Sequence, residues 1–249
     1  MKYLGIFVVL LLLFIASYAV LAEGVVEQLI TIEMQDGLTI HGTFLEVENK
    51  KAPAIILMHM MGNTRKNWET MAPKIQALGF NVLSIDLRGH GESINKKDGS
   101  LEAAGNFSTH HYAKMVDDLG PIVQWLSKQK HVEPKRIGLA GASLGANVAL
   151  LYAARPDSKI RAVALLSPGF EYKLLKISKA VEDYKGPLLF MASKLDAYSA
   201  ETCETLVKTH KGEHVIKIFQ GTAHGTFIFA KNEESQTIFL DFIKKYLSH

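Results

Sequence analysis

The sequence predicts an α/β fold with a mostly parallel sheet, and three observations carry that prediction. Short apolar runs alternate with helix-like segments from about residue 28 to the end of the chain. Several of these runs, Ala54 to His59 among them, are apolar throughout, as strands covered on both faces must be. One run, Arg136 to Ala142, leads into Gly141-Ala142-Ser143-Leu144-Gly145 and then at once into a helix-like segment. That order describes a tight strand-to-helix turn that lifts a hydroxyl above a sheet.

Taken in order, Gln28 to Met34 and Leu38 to Val47 read as strands joined by an Asp36-Gly37 turn, an antiparallel opening hairpin. Ala54 to His59 is the first buried strand. Trp68 to Leu78 reads as an amphipathic helix stopped by Gly79, and Phe80 to Asp86 as the next buried strand. Residues 87–107 are polar and glycine-containing, hence a loop. Thr109 to Lys130 has the period of a long helix, which Gly120-Pro121 is expected to kink or divide. The strand Arg136 to Ala142, the helix Leu144 to Ala154 and the strand Ile160 to Leu166 follow. Then come a short helical region from Leu174 to Asp183, a strand from Pro187 to Ala192 and a helix from Ala200 to His210. The strand Val215 to Gln220 and the helix Glu233 to Leu247 end the chain. Eight strands are expected, with helices on both faces. No repeat or Pro-rich linker interrupts them, so residues 23–249 are assigned to one domain. The stretch from Ser167 to Gly186 is too short for a separate cap, which predicts an open pocket.

Composition narrows the function. Of 249 residues, 48% are hydrophobic and 21% charged, ordinary for a globular protein. The net charge is +3. The basic pairs Lys50-Lys51, Lys96-Lys97 and Lys244-Lys245 are scattered and lack interleaved aromatics, so no nucleic-acid partner is expected. Lys2 precedes an uncharged, strongly apolar stretch from Tyr3 to Ala22. Residues 1–22 therefore read as a signal peptide, with Val20-Leu21-Ala22 as a cleavage site, or as an uncleaved membrane anchor. Either reading delivers the folded part outside the cytoplasm. The single cysteine, Cys203, excludes an intramolecular disulfide and falls in a predicted helix as a small buried filler.

The chemistry starts from Ser143. By the turn alone it is either a nucleophile or a capping serine. A serine hydroxyl needs a neighbouring base, and that base a carboxylate to hold its tautomer. In an open α/β sheet reactive groups gather beyond the carboxyl ends of the strands. Asp196 follows the strand Pro187 to Ala192, and His224 follows Val215 to Gln220 in Gly221-Thr222-Ala223-His224-Gly225. Ser143, Asp196 and His224 thus stand in the chain order expected for nucleophile, acid and base. The strand Ala54 to His59 ends in His59-Met60-Met61-Gly62-Asn63, where a backbone N–H can face a developing oxyanion. A second donor would be the N–H of Leu144.

On these segments, together with Asp86-Leu87-Arg88-Gly89-His90-Gly91-Glu92-Ser93 and Lys194-Leu195-Asp196, the chain from about Gln28 to Leu247 resembles the α/β-hydrolase superfamily in its lidless serine-hydrolase branch. The resemblance implies an α/β-hydrolase fold: an eight-stranded, mostly parallel sheet with an antiparallel N-terminal hairpin and no separate cap domain. It implies Ser143 as nucleophile, His224 as base, Asp196 as orienting acid, and Met61 and Leu144 as oxyanion donors. The sequence shows no phosphate-binding glycine loop, zinc-ligand spacing or EF-hand pattern, so no metal and no cofactor is expected. Met60 stands where the family usually has glycine and puts two thioethers near the pocket. Asp86 and His90 are expected to shape a loop, His59 to pack below the oxyanion loop, and His110-His111 to point apart. The expected activity is hydrolysis of a small carboxylic ester through an acyl-enzyme on Ser143, the partner being a small-molecule acyl substrate. A thioesterase or peptidase with the same triad, or a non-catalytic binding protein of this fold, are the alternatives.

Overall fold

The computed structural model describes residues 25–48 and 51–248; the expected leader, residues 1–22, lies outside them. Among the described residues eight strands form one sheet in the order β1-β2-β4-β3-β5-β6-β9-β10. They are β1 (Val25–Glu33), β2 (Thr39–Val47), β3 (Ala52–Met58), β4 (Asn81–Ile85), β5 (Val132–Ala142), β6 (Val163–Leu166), β9 (Leu188–Ser193) and β10 (His214–Phe219). β1 pairs antiparallel with β2, and β2 antiparallel with β4. Every later pairing, from β4–β3 to β9–β10, is parallel. The eight expected strands are thus the eight of the sheet.

Burial explains the apolar runs. Every residue of β3, β4, β6 and β9 is buried. Successive side chains leave opposite faces of a strand, and two cores result. Ile56 and Met58 of β3 join the core under α2 (Thr109–Ser127), α3 (Leu144–Ala153) and α5 (Ala197–Leu206). Ile55 and Leu57 join the core under α1 (Ala72–Ala77) and α7 (Glu233–Leu247). α3 is buried almost throughout, which is why its sequence is apolar on every side.

Three helical expectations need correction. The predicted helix Trp68 to Leu78 is a 3-10 turn, Arg65–Trp68, followed by the short α1. Pro73 sits in the first turn of α1, where its missing N–H costs nothing, and marks the true start. α2 is continuous through Pro121. The residue that loses its bond there, Asp117, is solvent-exposed, and the buried face Tyr112, Met115, Leu119, Ile122 and Leu126 holds the helix on both sides of the proline. The expected helical region from Leu174 opens instead with a small hairpin, β7 (Glu171–Tyr172) and β8 (Leu175–Lys176), followed by α4 (Ser178–Asp183). Its turn residues Lys173 and Leu174 have φ of 52° and 67°, the paired positive values of a two-residue hairpin turn. An unexpected short helix, α6 (Phe227–Lys231), precedes α7.

Candidate active site

Ser143 stands between β5 and α3 with φ 53° and ψ −118°, a conformation that non-glycine residues rarely adopt. The neighbouring glycines make the turn possible. A Cβ on Gly141 would collide with the backbone of Gly145, and one on Gly145 would come within 2.6 Å of the His59 carbonyl oxygen. Helix α3 therefore starts hard against the ends of β5 and β3. Donation of the Ser143 N–H to Leu166 O at 2.8 Å ties the turn laterally to β6.

Asp196 and His224 meet. Asp196 caps α5 just beyond β9, and His224 lies in the loop beyond β10. His224 Nδ1 donates to Asp196 Oδ2 at 2.7 Å, which leaves Nε2 of the neutral ring as an acceptor. Burial works to raise the Asp196 pKa. The hydrogen bond and charge of His224, with the hydroxyls of Ser167 and Ser199, outweigh it and hold the carboxyl below its ordinary range. The histidine loop reaches the serine turn through Gly225, whose φ is 59°. A Cβ there would strike the Met60 thioether and approach Ala142 Cβ at 3.2 Å, so only glycine lets the two segments touch. Ser143 itself makes no hydrogen bond to His224 among the described residues.

Beyond β3 the backbone turns sharply at Gly62, whose φ is 72°. His59 is wholly buried below this turn. Its Nδ1–H donates to Met60 O at 2.6 Å while Nε2 accepts the Leu87 N–H at 2.9 Å. Both bonds require a neutral ring, and burial lowers its pKa to about 4. Met60 O also accepts the Asn63 N–H at 3.2 Å, whereas the Met61 N–H has no protein acceptor among the described residues. The Leu144 N–H, first in its helix, has no intrahelical acceptor. Of the two thioethers, Met60 is buried against Gly225 and only Met61 lines the adjoining cavity. This cavity of about 630 Å³ is also bounded by Asn63, His90, Phe107, Tyr112 and Lys173.

Asp86 accepts the Arg65 N–H at 2.6 Å and the Glu92 N–H at 3.0 Å, and it pairs with the Arg65 guanidinium. It shapes the 87–93 loop, and His90, bonded to Arg88 O at 3.0 Å, packs within that loop. His111 caps the start of α2 with Ser108. Cys203 is buried, and burial pushes its thiol pKa up.

Three neighbours of the site were not singled out from the sequence. Ser167, at the end of β6 with φ 48°, accepts the Gly225 N–H on its Oγ at 2.9 Å. Ser199 lies one turn into α5 beside the Asp196 carboxyl. Tyr172, on the small hairpin, reaches back over Ser167 and Ser199. A polar residue closing the apolar run of β6 was a legible hint of Ser167; nothing local marks Tyr172.

Comparison with known proteins agrees with this geometry. A family model described as alpha/beta hydrolase fold matches residues 53–186, more than half of the chain. An uncharacterised protein of Mycobacterium tuberculosis is 30% identical over 141 residues, 56% of this chain and 44% of that protein. The chain spans less than half the length of the first curated relatives it matches. Among solved structures, the dienelactone hydrolase from Anabaena variabilis superposes with a TM-score of 0.71 at 17% identity, covering 90% of this chain and 99% of that one. An esterase of Pyrococcus furiosus superposes with a TM-score of 0.70 at 21% identity, covering 90% and 91%. At such identities these likenesses speak for the fold alone. With the strained serine turn and the eight-stranded sheet, the family match means that this chain belongs to the α/β hydrolase fold family.

Proposed function

We propose that this protein is an exported serine hydrolase that cleaves small carboxylic esters. Ser143 is the nucleophile, His224 the general base, Asp196 the acid that orients it, and the N–H groups of Met61 and Leu144 receive the oxyanion. The observation that carries this reading is the Asp196–His224 hydrogen bond of 2.7 Å on a loop that touches, through Gly225, the residue before Ser143.

In the first half-reaction Ser143 Oγ attacks the acyl carbon while its proton passes to His224 Nε2. The tetrahedral oxyanion rests on the two N–H groups, which are preorganised because neither has a competing protein acceptor among the described residues. Collapse expels the alcohol, which leaves with the proton from His224, and an acyl-enzyme remains. Water then loses a proton to His224, attacks the acyl carbon, and displaces Ser143 Oγ, which recovers that proton. The carboxylic acid departs. Ser143 and His224 share no hydrogen bond among the described residues, and contacts of this kind tighten when substrate enters.

The cavity beside Met61 supports a small or exposed acyl group, because no cap domain intervenes between residues 167 and 186. Export rests on the apolar stretch Tyr3 to Ala22 as a signal or anchor for residues 23–249. N-terminal sequencing of the mature protein tests it: a start near Glu23 marks cleavage, a start at Met1 an anchor. For catalysis, the decisive experiment is labelling with a fluorophosphonate and turnover of short p-nitrophenyl esters. Wild type is expected to carry one adduct on Ser143 and to turn over. Ser143→Ala is expected to lose both, with at least about a 10³-fold fall in kcat. Undiminished turnover by that variant overturns the mechanism, and a wild type that never labels points to a binding protein.

A further inference from the structure

The basic residues are dispersed along the chain, but the fold gathers many of them at one edge of the sheet. β3, β4, β5, β6, β9 and β10 run parallel, so their N-terminal ends share one edge. Ser143, Asp196 and His224 stand beyond the C-terminal ends, at the opposite edge. Residues 127–136, 154–162, 183–187 and 207–213 lead into β5, β6, β9 and β10 at the first edge. α7 ends there too, since Arg136 donates to Ser248 O at 2.8 Å and Arg161 to Tyr246 O at 3.1 Å. With residues 244–248, these segments hold twelve of the chain's 28 Lys and Arg but four of its 25 Asp and Glu, so the rest of the chain has more acids than bases. Lys135, Lys159, Arg161 and Lys245, all exposed, line one cavity of about 490 Å³ there with a single carboxylate, Glu213. Glu213 pairs with Lys245 at 3.3 Å; the other three cations have no carboxylate partner among the described residues.

The first strand enters the sheet at this same edge. β1 runs antiparallel to β2, and β2 antiparallel to β4, which sets Val25 beside the N-terminal ends of the parallel strands. Val25 pairs with Val47, whose N–H donates to Asn81 Oδ1 at 2.9 Å. Asn81 Nδ2 in turn donates to His131 O at 2.8 Å, within one of the basic segments. In the sequence only Glu23 and Gly24 stand between Val25 and the apolar stretch Tyr3 to Ala22, a reach of about 10 Å. A bilayer that receives this stretch therefore meets the basic edge. Lys and Arg side chains within a Debye length of a surface rich in anionic lipid are drawn to it.

Resting on the reading of residues 1–22 as a leader or anchor, we infer that the basic edge is a docking surface for the headgroups of anionic phospholipids. The docked protein turns its active site away from the bilayer. Exposed Leu174, Leu195 and Phe227 at the catalytic edge offer the opposite orientation. That orientation would lift Val25 from the bilayer by the length of β1, nine residues or about 30 Å, beyond the reach of Glu23 and Gly24. It would also present the side poorer in cations to the anionic lipid.

Both cores are built from Ile30 onward, so a chain from Glu23 to His249 keeps the complete fold. The test is cosedimentation of that chain with vesicles of phosphatidylcholine, alone or mixed with phosphatidylglycerol, in low and high salt. Binding to the mixed vesicles is expected to be at least about tenfold stronger and to fall steeply with salt. The triple variant Lys135→Glu, Lys159→Glu, Lys245→Glu should lose that gain. Lys66→Glu, Lys194→Glu, Lys231→Glu makes the same change in net charge beyond β3, β9 and β10, at the catalytic edge, and should keep it. On the mixed vesicles amide hydrogen exchange should slow in residues 207–213 and 244–248 but not in 221–226. Equal binding to both vesicles, equal loss in both variants, or protection of 221–226 instead overturns the inference. So does capture by heparin or duplex DNA without vesicle binding, which makes the edge a site for a soluble polyanion. The chain tested lacks residues 1–22, so a failure here leaves export to N-terminal sequencing and the serine-hydrolase reading to labelling of Ser143.

Discussion

At the scale of the residue, His59 and Asp196 show how burial and pairing set protonation. His59 has a folded pKa of about 4 against 6.5 when free. Between those values the unfolded chain binds the proton that the folded one refuses, so stability is fully present above pH 6.5 and falls as pH drops toward 4. At about 1.4 kcal/mol per unit, this one ring accounts for about 3 kcal/mol of acid destabilisation. Denaturant unfolding at pH 7.5 and 4.5 should show that loss. His59→Asn should be weaker at pH 7.5 and lack about one proton's worth of the slope. Asp196 acts in the opposite chemical sense, as a carboxylate kept charged by His224 and two hydroxyls. Replacing it by Asn should leave folding nearly intact but let His224 adopt the wrong tautomer. The expected fall in kcat is about 10³–10⁴-fold with little change in KM, measured on a short ester.

At the scale of the element, the site depends on contacts that helices and strands make through their ends. Asn147 is the clearest case, because its amide satisfies backbone groups of Gly169 and Leu175 that the two-residue ladder of β7 and β8 does not pair. Asn147→Leu strands three buried backbone groups, each worth about 1–3 kcal/mol when unsatisfied. We expect a loss of about 3 kcal/mol or more in chemical denaturation, and protease nicking confined to residues 169–176. The close start of α3 against β3 and β5 makes a parallel prediction. Gly145→Ala forces the helix from the His59 carbonyl and should cost activity more than stability, because the Leu144 N–H moves with it. Turnover and melting of the same preparation separate the two. The misread helices teach the same point: α2 tolerates Pro121 because tertiary burial outweighs one missing hydrogen bond.

At the scale of the whole molecule, Arg88 joins parts that the sheet does not. It is almost wholly buried and contacts Asp36 at the β1–β2 turn, Glu102 in the following loop and Asp118 on α2, at 2.7, 2.8 and 2.6 Å. Burial pushes the Asp118 pKa up and the paired guanidinium only partly offsets it. Asp36 keeps Lys114 and Glu102 keeps Lys96, so Arg88→Met should leave the buried Asp118 without its cation and destabilise the fold by about 3–5 kcal/mol, read as a shifted denaturation midpoint with an unchanged slope. Much of this molecule was legible along the chain. The eight strands follow from apolar runs, and the serine turn from two glycines whose missing Cβ atoms the packing confirms. The candidates Asp196 and His224 follow from their places at strand ends, and they meet at 2.7 Å. The hairpin carrying Tyr172, the bond from the Gly225 N–H to Ser167 and the buried Arg88 cluster were not legible. A strand, a helix or a tight turn is written in residues a few positions apart, so the amino-acid order alone determined the fold class and the three side chains on which catalysis is proposed. Which groups surround those side chains was decided by lateral packing of segments tens of residues apart, because hydrogen bonds across that distance leave no periodic mark on either partner.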